Sequence, residues 1–184
     1  EAGDSLTMIE VLNFCQLLLV AGNETTTNLI GNAVLALSAH PEQERMLRDH
    51  PALIPSMVEE VLRYDSPVQL LCRTTTRDVE IHGTTIPAGS KVALLWAAAN
   101  RDPEAFADPD RFDVARTPNQ HMAFGYGIHY CLGAPLARLE ARLASATLLR
   151  RLKGWRPDPN DLYERLSHPL LRGLQRFPLL CEFA

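Results

Sequence analysis

A long stretch without proline is the strongest constraint on the fold of this chain. None of the 13 prolines precedes Pro41, and apolar residues recur at helical spacing through residues 5–38. The recurring positions are Leu12, Cys15, Leu18, Leu19, Leu29, Ile30, Ala33, Val34 and Leu37. This pattern predicts one helix, capped by Asp4 or Ser5 and ended before Pro41. A continuous helix of this length spans ~50 Å, which is longer than a small domain needs.

The centre of this predicted helix contains its weakest helix formers. Gly22 is followed closely by Thr25, Thr26 and Thr27, and glycine and threonine both have low helix propensity. One explanation is a local bulge that serves a function. The other is tertiary packing that overrides propensity.

The rest of the chain predicts shorter helices and small sheets. Residues 41–49, 55–64 and 132–152 have helical patterns. Alternating residues and turn signals between positions 68 and 95 predict a sheet of two or three strands. Residues 101–123 predict an ordered coil, and the chain after Trp155 predicts short strands and turns. The predicted fold class is therefore mainly α with small β-sheets.

Composition excludes several classes of protein. Of 184 residues, 46% are hydrophobic and 22% are charged, which argues against disorder. The net charge of −4 argues against a broad surface for nucleic acid or anionic membranes. Residues 11–22 are apolar but contain Asn13 and Gln16, so we expect no membrane span. The four cysteines form no CxxC pair and no disulfide framework, which favours a reduced, cytoplasmic setting.

The most informative segment precedes the last long helix and surrounds Cys131. It contains two glycines, Gly125 and Gly127, which let the backbone approach a large flat group. Cys131 lies at the predicted N-terminus of the helix, where free N–H groups stabilise a thiolate. His129 lies two residues earlier and can donate a hydrogen bond to an anion. The residues alone leave three readings open: a buried structural cysteine, a nucleophilic Cys/His pair, or a ligand site.

The spacing Phe124-x-x-Gly127-x-His129-x-Cys131-x-Gly133 resembles the haem-binding signature of the cytochrome P-450 family of haem-thiolate monooxygenases. Three further segments resemble family elements in the same order. They are residues 21–26 in the long helix, the Glu60-x-x-Arg63 pair, and residues 108–112, which include Arg111. Residues 100–103 and 136–138 are most similar to soluble bacterial members.

The resemblance covers the whole chain but only the C-terminal half of the family fold. Residues 1–184 are therefore expected to be the haem-binding C-terminal portion of a cytochrome P-450, without its N-terminal half. Because the chain begins with Glu1 and not with Met, we also expect residues upstream.

The resemblance implies a cofactor, haem b (iron protoporphyrin IX), and a role for each matching residue. Cys131 is expected to ligate the iron as a thiolate. The other expected haem contacts are Ala21, Arg73, Phe124, Gly125, His129 and Gly133, with Arg73 and His129 on the propionates. Glu24 and Thr25 are the expected catalytic residues, with Thr25 bonded to bound dioxygen and Glu24 relaying protons. Glu60, Arg63 and Arg111 are expected to form a buried structural network.

The implied activity is activation of O2 to oxidise an apolar organic substrate. The expected pocket residues are mostly apolar: Leu17, Val20, Ala21, Val68, Gln69 and Leu70. Arg138 and Arg142 form either a basic face for a ferredoxin-type electron donor, itself served by an NAD(P)H reductase, or a merely solvated helix face. The alternatives are a truncated fragment with weak or no haem binding, an interaction module, and a peroxide-dependent variant. Glu24 and Thr25 favour the O2-dependent enzyme over the last of these.

Overall fold

The computed structural model describes residues 5–184, and its longest element is helix α1, Met8–Ala39. Its N-cap is Thr7, so the prediction of Ser5 is wrong, while Asp4 lies outside the described residues. The Thr7 side chain accepts a hydrogen bond from the Glu10 N–H, and the Glu10 carboxylate accepts one from the Thr7 N–H. This reciprocal capping box satisfies two N–H groups that otherwise lack helical partners.

Helix α1 runs through Gly22 and the three threonines as regular α-helix, so of the two explanations the structure contradicts the local bulge. The hydroxyls of Thr25 and Thr27 donate to the carbonyls of Ala21 and Asn23, at 2.8 and 3.1 Å. These bonds keep both hydroxyls on the helix surface. Tertiary packing of the following turns, not propensity, maintains the helix here.

Three other helices lie close to their predicted positions: α2 (Pro41–Asp49), α3 (Ile54–Tyr64) and α5 (Ala134–Arg151). The sequence pattern did not predict the short helix α4 (Trp96–Ala99) or the 3₁₀ turns at Pro51–Leu53 and Gly127–His129. Proline occupies the first turn of α2, where it removes no helical hydrogen bond. The coil between α4 and the second 3₁₀ turn contains no strand or long helix among the described residues, as predicted.

The strands form four two-stranded antiparallel sheets within the described residues. Their bounds are β1 (Leu71–Thr74), β2 (Val79–Ile81), β3 (Thr84–Ile86), β4 (Lys91–Leu94), β5 (Leu152–Pro157), β6 (Glu164–Arg165), β7 (Leu174–Arg176) and β8 (Leu179–Phe183). The single sheet predicted for residues 68–95 is two sheets, because β2 and β3 form a separate hairpin between β1 and β4. Gly83 has a φ of 74°, which suits the tight turn of that hairpin.

The hydrophobic core lies between the C-terminal half of α1, helix α3 and the coil before α5. Its buried members include Leu29, Leu37, Met57, Val61, Phe112 and Val114. In contrast, every residue of α1 from position 8 to 24 is exposed, including apolar side chains such as Leu12 and Leu17. Thr25 therefore marks the point where α1 passes from an exposed half to a packed half.

The hairpin of β6 and β7 holds the segment that follows α3. Gln69 N–H donates to the carbonyl of Leu170, and Arg172 N–H donates to that of Pro67, both at 2.8 Å. An isolated bridge also pairs Val68 with Leu171. Residues 170–172, which we call the hairpin tip, consequently lie directly against residues 67–69. None of the helices described is long and apolar enough to cross a membrane.

Candidate functional site

The loop before α5 is closed by a backbone hydrogen bond across its two ends. Cys131 N–H donates to the Phe124 carbonyl at 3.0 Å. Between them, Gly125 and Gly127 have φ values of 72° and 71°, a conformation that strains other residues. The loop thereby places Cys131 three residues before Ala134, the first residue of α5. Cys131 is a half-buried free thiol.

Gly125 is required by space as well as by conformation. A Cβ on Gly125 would lie 3.3 Å from the indole ring of Trp96, which is closer than ordinary van der Waals contact. Trp96 begins α4, directly after β4, so it braces the cysteine loop against the sheet of β1 and β4. No sequence pattern links Trp96 to a loop 29 residues away, and Trp96 was not predicted as a site residue.

The residues around Cys131 fit a large apolar group with anionic edges. Next to the cysteine, Tyr126, Ile128 and Leu132 are all strongly exposed apolar side chains. His129 is exposed, and its ring makes no hydrogen bond within residues 5–184. Arg73 lies half-buried on β1. Its guanidinium donates a hydrogen bond only to the Cys72 carbonyl, at 3.0 Å, and has no carboxylate partner among the described residues. A free thiol can ligate iron, an apolar surface can cover a porphyrin, and two cationic or donor side chains can bind its propionates, so these residues fit haem.

The predicted catalytic residues lie at the midpoint of α1. Thr25 is half-buried, whereas Glu24 and Ala21 are exposed. The Thr25 hydroxyl uses its proton in the bond to Ala21 and retains its acceptor lone pairs. The roles of Ala21, Glu24 and Thr25 toward a cofactor stay predictions.

Glu60 and Arg63 form the predicted buried pair. Both side chains are 0% exposed, and the guanidinium of Arg63 donates two hydrogen bonds to the carboxylate at 2.8 and 2.9 Å. The remaining Arg63 donors bind three backbone carbonyls in the coil before the cysteine loop: Asn100, Pro109 and Arg111. A single buried guanidinium therefore fixes the path of that coil.

The second arginine of this network is Arg116, so the prediction of Arg111 is wrong. The Arg111 side chain is 65% exposed and lies 3.9 Å from Asp113, and it reaches Arg63 only through its backbone carbonyl. Arg116 is 11% exposed, and its Nε lies 3.1 Å from the Glu60 carboxylate. The chain turns at Asp113, whose N–H also donates to Glu60, and this turn brings Arg116 to the carboxylate.

This correction can be tested by comparing two alanine variants. We expect Arg116→Ala to destabilise the fold by about 1.5–3 kcal/mol, the value typical of hydrogen bonds to a charged group. Arg111→Ala is expected to stay within about 0.5 kcal/mol, as exposed substitutions do. The midpoints of urea unfolding measure both. A larger loss for Arg111→Ala than for Arg116→Ala would restore the original prediction.

Arg138 does not belong to an open basic face, which was one of the two environments predicted for it. Its guanidinium binds the carboxylate of Glu59 at 2.8 Å, so its charge is already paired. Arg142 is 41% exposed and only 3.8 Å from the same carboxylate. Of the two arginines, Arg142 has the more exposed side chain, at 41% against 25% for Arg138.

Comparisons with known proteins identify the class to which this fold and loop belong. The family model described as "Cytochrome P450" matches residues 1–171. The "Biotin biosynthesis cytochrome P450" of Bacillus subtilis is 54% identical over 182 residues, which cover 97% of this chain and 45% of that protein. The chain therefore belongs to the cytochrome P450 family, whose members are haem-containing oxidoreductases, and it is most similar to bacterial members.

Solved structures agree with this assignment. The crystal structure of P450BioI in complex with an acyl carrier protein ligated to hexadec-9Z-enoic acid matches with a TM-score of 0.94 and 48% identity. It is matched over 98% of this chain and 47% of that chain. CYP109E1 from Bacillus megaterium, in complex with testosterone, matches with a TM-score of 0.94 and 43% identity over 99% of this chain and 50% of that one. The predicted family and fold class are confirmed, and the chain spans less than half the length of the curated relatives it matches.

Proposed function

We propose that residues 1–184 are the haem-binding C-terminal portion of a longer bacterial P450 monooxygenase that uses O2 to oxidise an apolar molecule. The observation that carries this proposal is the closed Phe124–Cys131 loop with its half-buried free thiol, in a chain of this family. The exposed apolar half of α1 supports the longer protein, because apolar surface of this extent is normally covered. Alone, residues 1–184 are expected to be inactive.

Residues of the cysteine loop, β1 and α1 would each contact a different part of haem b. Cys131 would hold the iron through its thiolate, and the N–H groups near Gly133 would moderate the thiolate's negative charge. Phe124 and Gly125 pack beside the porphyrin, while Arg73 and His129 bind the propionate carboxylates through charge-assisted hydrogen bonds. Ala21 contacts the opposite face of the cofactor. When bound, haem supplies the redox chemistry that reduces O2 and oxidises the substrate.

Thr25 and Glu24 control protons on that opposite face. The Thr25 hydroxyl donates to the Ala21 carbonyl, so its Oγ lone pairs could accept a hydrogen bond and hold a proton at this point of α1. Glu24 is exposed, so its carboxylate can exchange protons with water and resupply them to the Thr25 hydroxyl. This pair favours an O2-dependent enzyme, because a peroxide-dependent one has no need of it.

The substrate pocket is proposed to lie between α1 and the segment after α3. Leu17 and Val20 are exposed on α1, and Val68, Gln69 and Leu70 are held in place by the β6–β7 hairpin. The hairpin tip adds Leu170 and Leu171, which the sequence pattern did not reveal. These mostly apolar side chains fit a fatty-acyl or steroid-like substrate, the kinds of ligand in the two similar structures. Electrons are proposed to come from a ferredoxin-type donor with its NAD(P)H reductase.

The reduced carbon monoxide spectrum of the longer protein tests this function. We expect wild type to show the red-shifted Soret band of thiolate-ligated haem, and Cys131→Ser to lose it completely, because serine removes the sulfur ligand. Cys181→Ser, which changes an exposed thiol far along the chain, is the matched control and should keep the band. An unchanged band in Cys131→Ser would show that another residue ligates the iron.

A further inference from the structure

A charged cluster lies directly behind the cysteine loop and joins α3 to α5. Glu59 of α3 receives two short hydrogen bonds from Arg138 of α5, from Nε to Oε1 and from Nη2 to Oε2, both at 2.8 Å. His121 Nε2 lies 3.1 Å from Oε2 of the same carboxylate. Glu59 is adjacent to Glu60 in sequence, yet its carboxylate belongs to a separate network.

His121 is neutral in this cluster. Its Nδ1 accepts a hydrogen bond from the Ala123 N–H at 3.2 Å, so the ring proton is on Nε2 and is donated to Glu59. The hydrogen-bonded core of the cluster therefore contains one carboxylate and one guanidinium, and its net charge is zero. Arg142 lies at the edge of the cluster: its side chain is 41% exposed and its Nη2 is 3.8 Å from Glu59 Oε1, so it interacts with the carboxylate more weakly than Arg138 does.

Arg138 contacts both ends of the cysteine loop. Its guanidinium carbon lies 4.6 Å from the centre of the Phe124 ring, in cation–π geometry. Its Nη1 donates to the hydroxyl of Tyr130 at 3.1 Å. Phe124 begins the loop, and Tyr130 is the residue before Cys131, so one guanidinium restrains the two positions that determine where the thiolate lies.

We propose that Glu59 and Arg138 are positioning residues that hold the Cys131 loop in place and set the electrostatic environment of its thiolate. The inference rests on the proposed function, in which Cys131 ligates the haem iron. Because the two charges compensate each other, removal of either partner leaves an unbalanced charge of known sign close to the loop. An uncompensated positive charge favours the reduced iron, and an uncompensated negative charge favours the oxidised iron.

Both partners are held in their charged forms. Burial raises the pKa of Glu59, but the hydrogen bonds from His121 and Arg138 outweigh it and lower the pKa from 4.5 to about 2. The hydrogen bonds to Glu59 likewise raise the pKa of Arg138. The compensation therefore persists across the pH range in which such a protein is handled.

The midpoint reduction potential of the haem-loaded longer protein tests the inference. Glu59→Gln keeps the side-chain shape but leaves Arg138 unpaired, so the potential should rise. Arg138→Gln removes one positive charge and leaves Glu59 with only His121 and the more distant Arg142, so the potential should fall. The double variant Glu59→Gln/Arg138→Gln restores neutrality and should return the potential towards the wild-type value. Arg150→Gln removes the same charge from an exposed position on α5 and should leave the potential unchanged.

A further variant separates the effect of the position of the Arg138 side chain from the effect of its charge. Arg138→Lys keeps the positive charge but lacks the planar fork that binds Glu59 and Tyr130 together. Its potential should stay near that of wild type, while a larger fraction of its carbon monoxide complex should lose the red-shifted band. If Arg138→Gln does not load haem, a raised potential in Glu59→Gln together with an unchanged potential in Arg138→Lys supports the inference, and an equal shift in both overturns it.

The outcomes separate this inference from the proposed function. Potential shifts of opposite sign support the inference, because a purely structural role gives no reason for the sign to reverse. If wild type has the red-shifted band but the variants do not shift the potential, or shift it in one direction, the inference is overturned and the proposed function stands. A wild-type protein without that band overturns both.

Discussion

Replacing Glu60 by alanine is expected to destabilise the fold by about 3–5 kcal/mol, the cost of leaving buried charge unpaired. Arg63 is 0% exposed and Arg116 is 11% exposed, so neither guanidinium can recover its lost partner from water. Globular proteins have only ~5–15 kcal/mol of stability in total. We therefore expect little soluble, haem-loaded protein, measured by the yield of the longer protein and its haem content.

Two control variants define what the Glu60 carboxylate contributes. Glu140→Ala removes an exposed glutamate from α5 and should have a near-normal yield. Glu60→Gln keeps the size and one acceptor oxygen but removes the charge and replaces the other acceptor by an NH2 donor, so it should also be destabilised. If Glu60→Gln has wild-type stability, the coil needs neither the charge nor the second acceptor oxygen. A normal yield and haem content for Glu60→Ala would contradict the buried network altogether.

The elements that the sequence predicted best are those with local signals. Residues 41–49 begin with proline and carry acidic residues in the first turn, and α2 has the predicted bounds. The start of α1 was misplaced although a local signal was present. Thr7 and Glu10 have the Thr-x-x-Glu spacing of a capping box, and this pattern could have identified the N-cap.

The part of the site that the sequence could not predict depends on contacts between distant residues. The coil between positions 101 and 123 has no helical or strand period, so spacing could not decide between Arg111 and Arg116. Glu59 and Glu60 are neighbours on a helix and point about 100° apart. Nothing in their local sequence shows that Glu60 faces the coil while Glu59 faces Arg138, 79 positions away. The cysteine loop could be recognised from the sequence because its characteristic residues lie close together at fixed spacing.

Thr25→Ala is expected to reduce the rate of product formation by about 100-fold or more, the contribution typical of a positioned general acid–base system. The variant removes the hydroxyl that holds a proton near the oxygen, but it removes no iron ligand. Haem content and the carbon monoxide spectrum should therefore stay normal. Reduced nicotinamide should still be consumed through the redox partners, with its electrons recovered as hydrogen peroxide. The measurement is the ratio of product formed to nicotinamide oxidised, with any accepted substrate.

Helix α1 offers a closely matched control for this experiment. Thr27 also donates its hydroxyl to the carbonyl four residues earlier, that of Asn23, and it is exposed. Thr27→Ala therefore makes the same change in helix propensity and back-bonding two residues further along, at a point about 200° around the helix axis. Thr27→Ala should have the same ratio of product formed to nicotinamide oxidised as wild type. Equal ratios in wild type and Thr25→Ala would remove Thr25 from the proton pathway, and equal losses in both variants would assign the effect to the helix rather than to the hydroxyl.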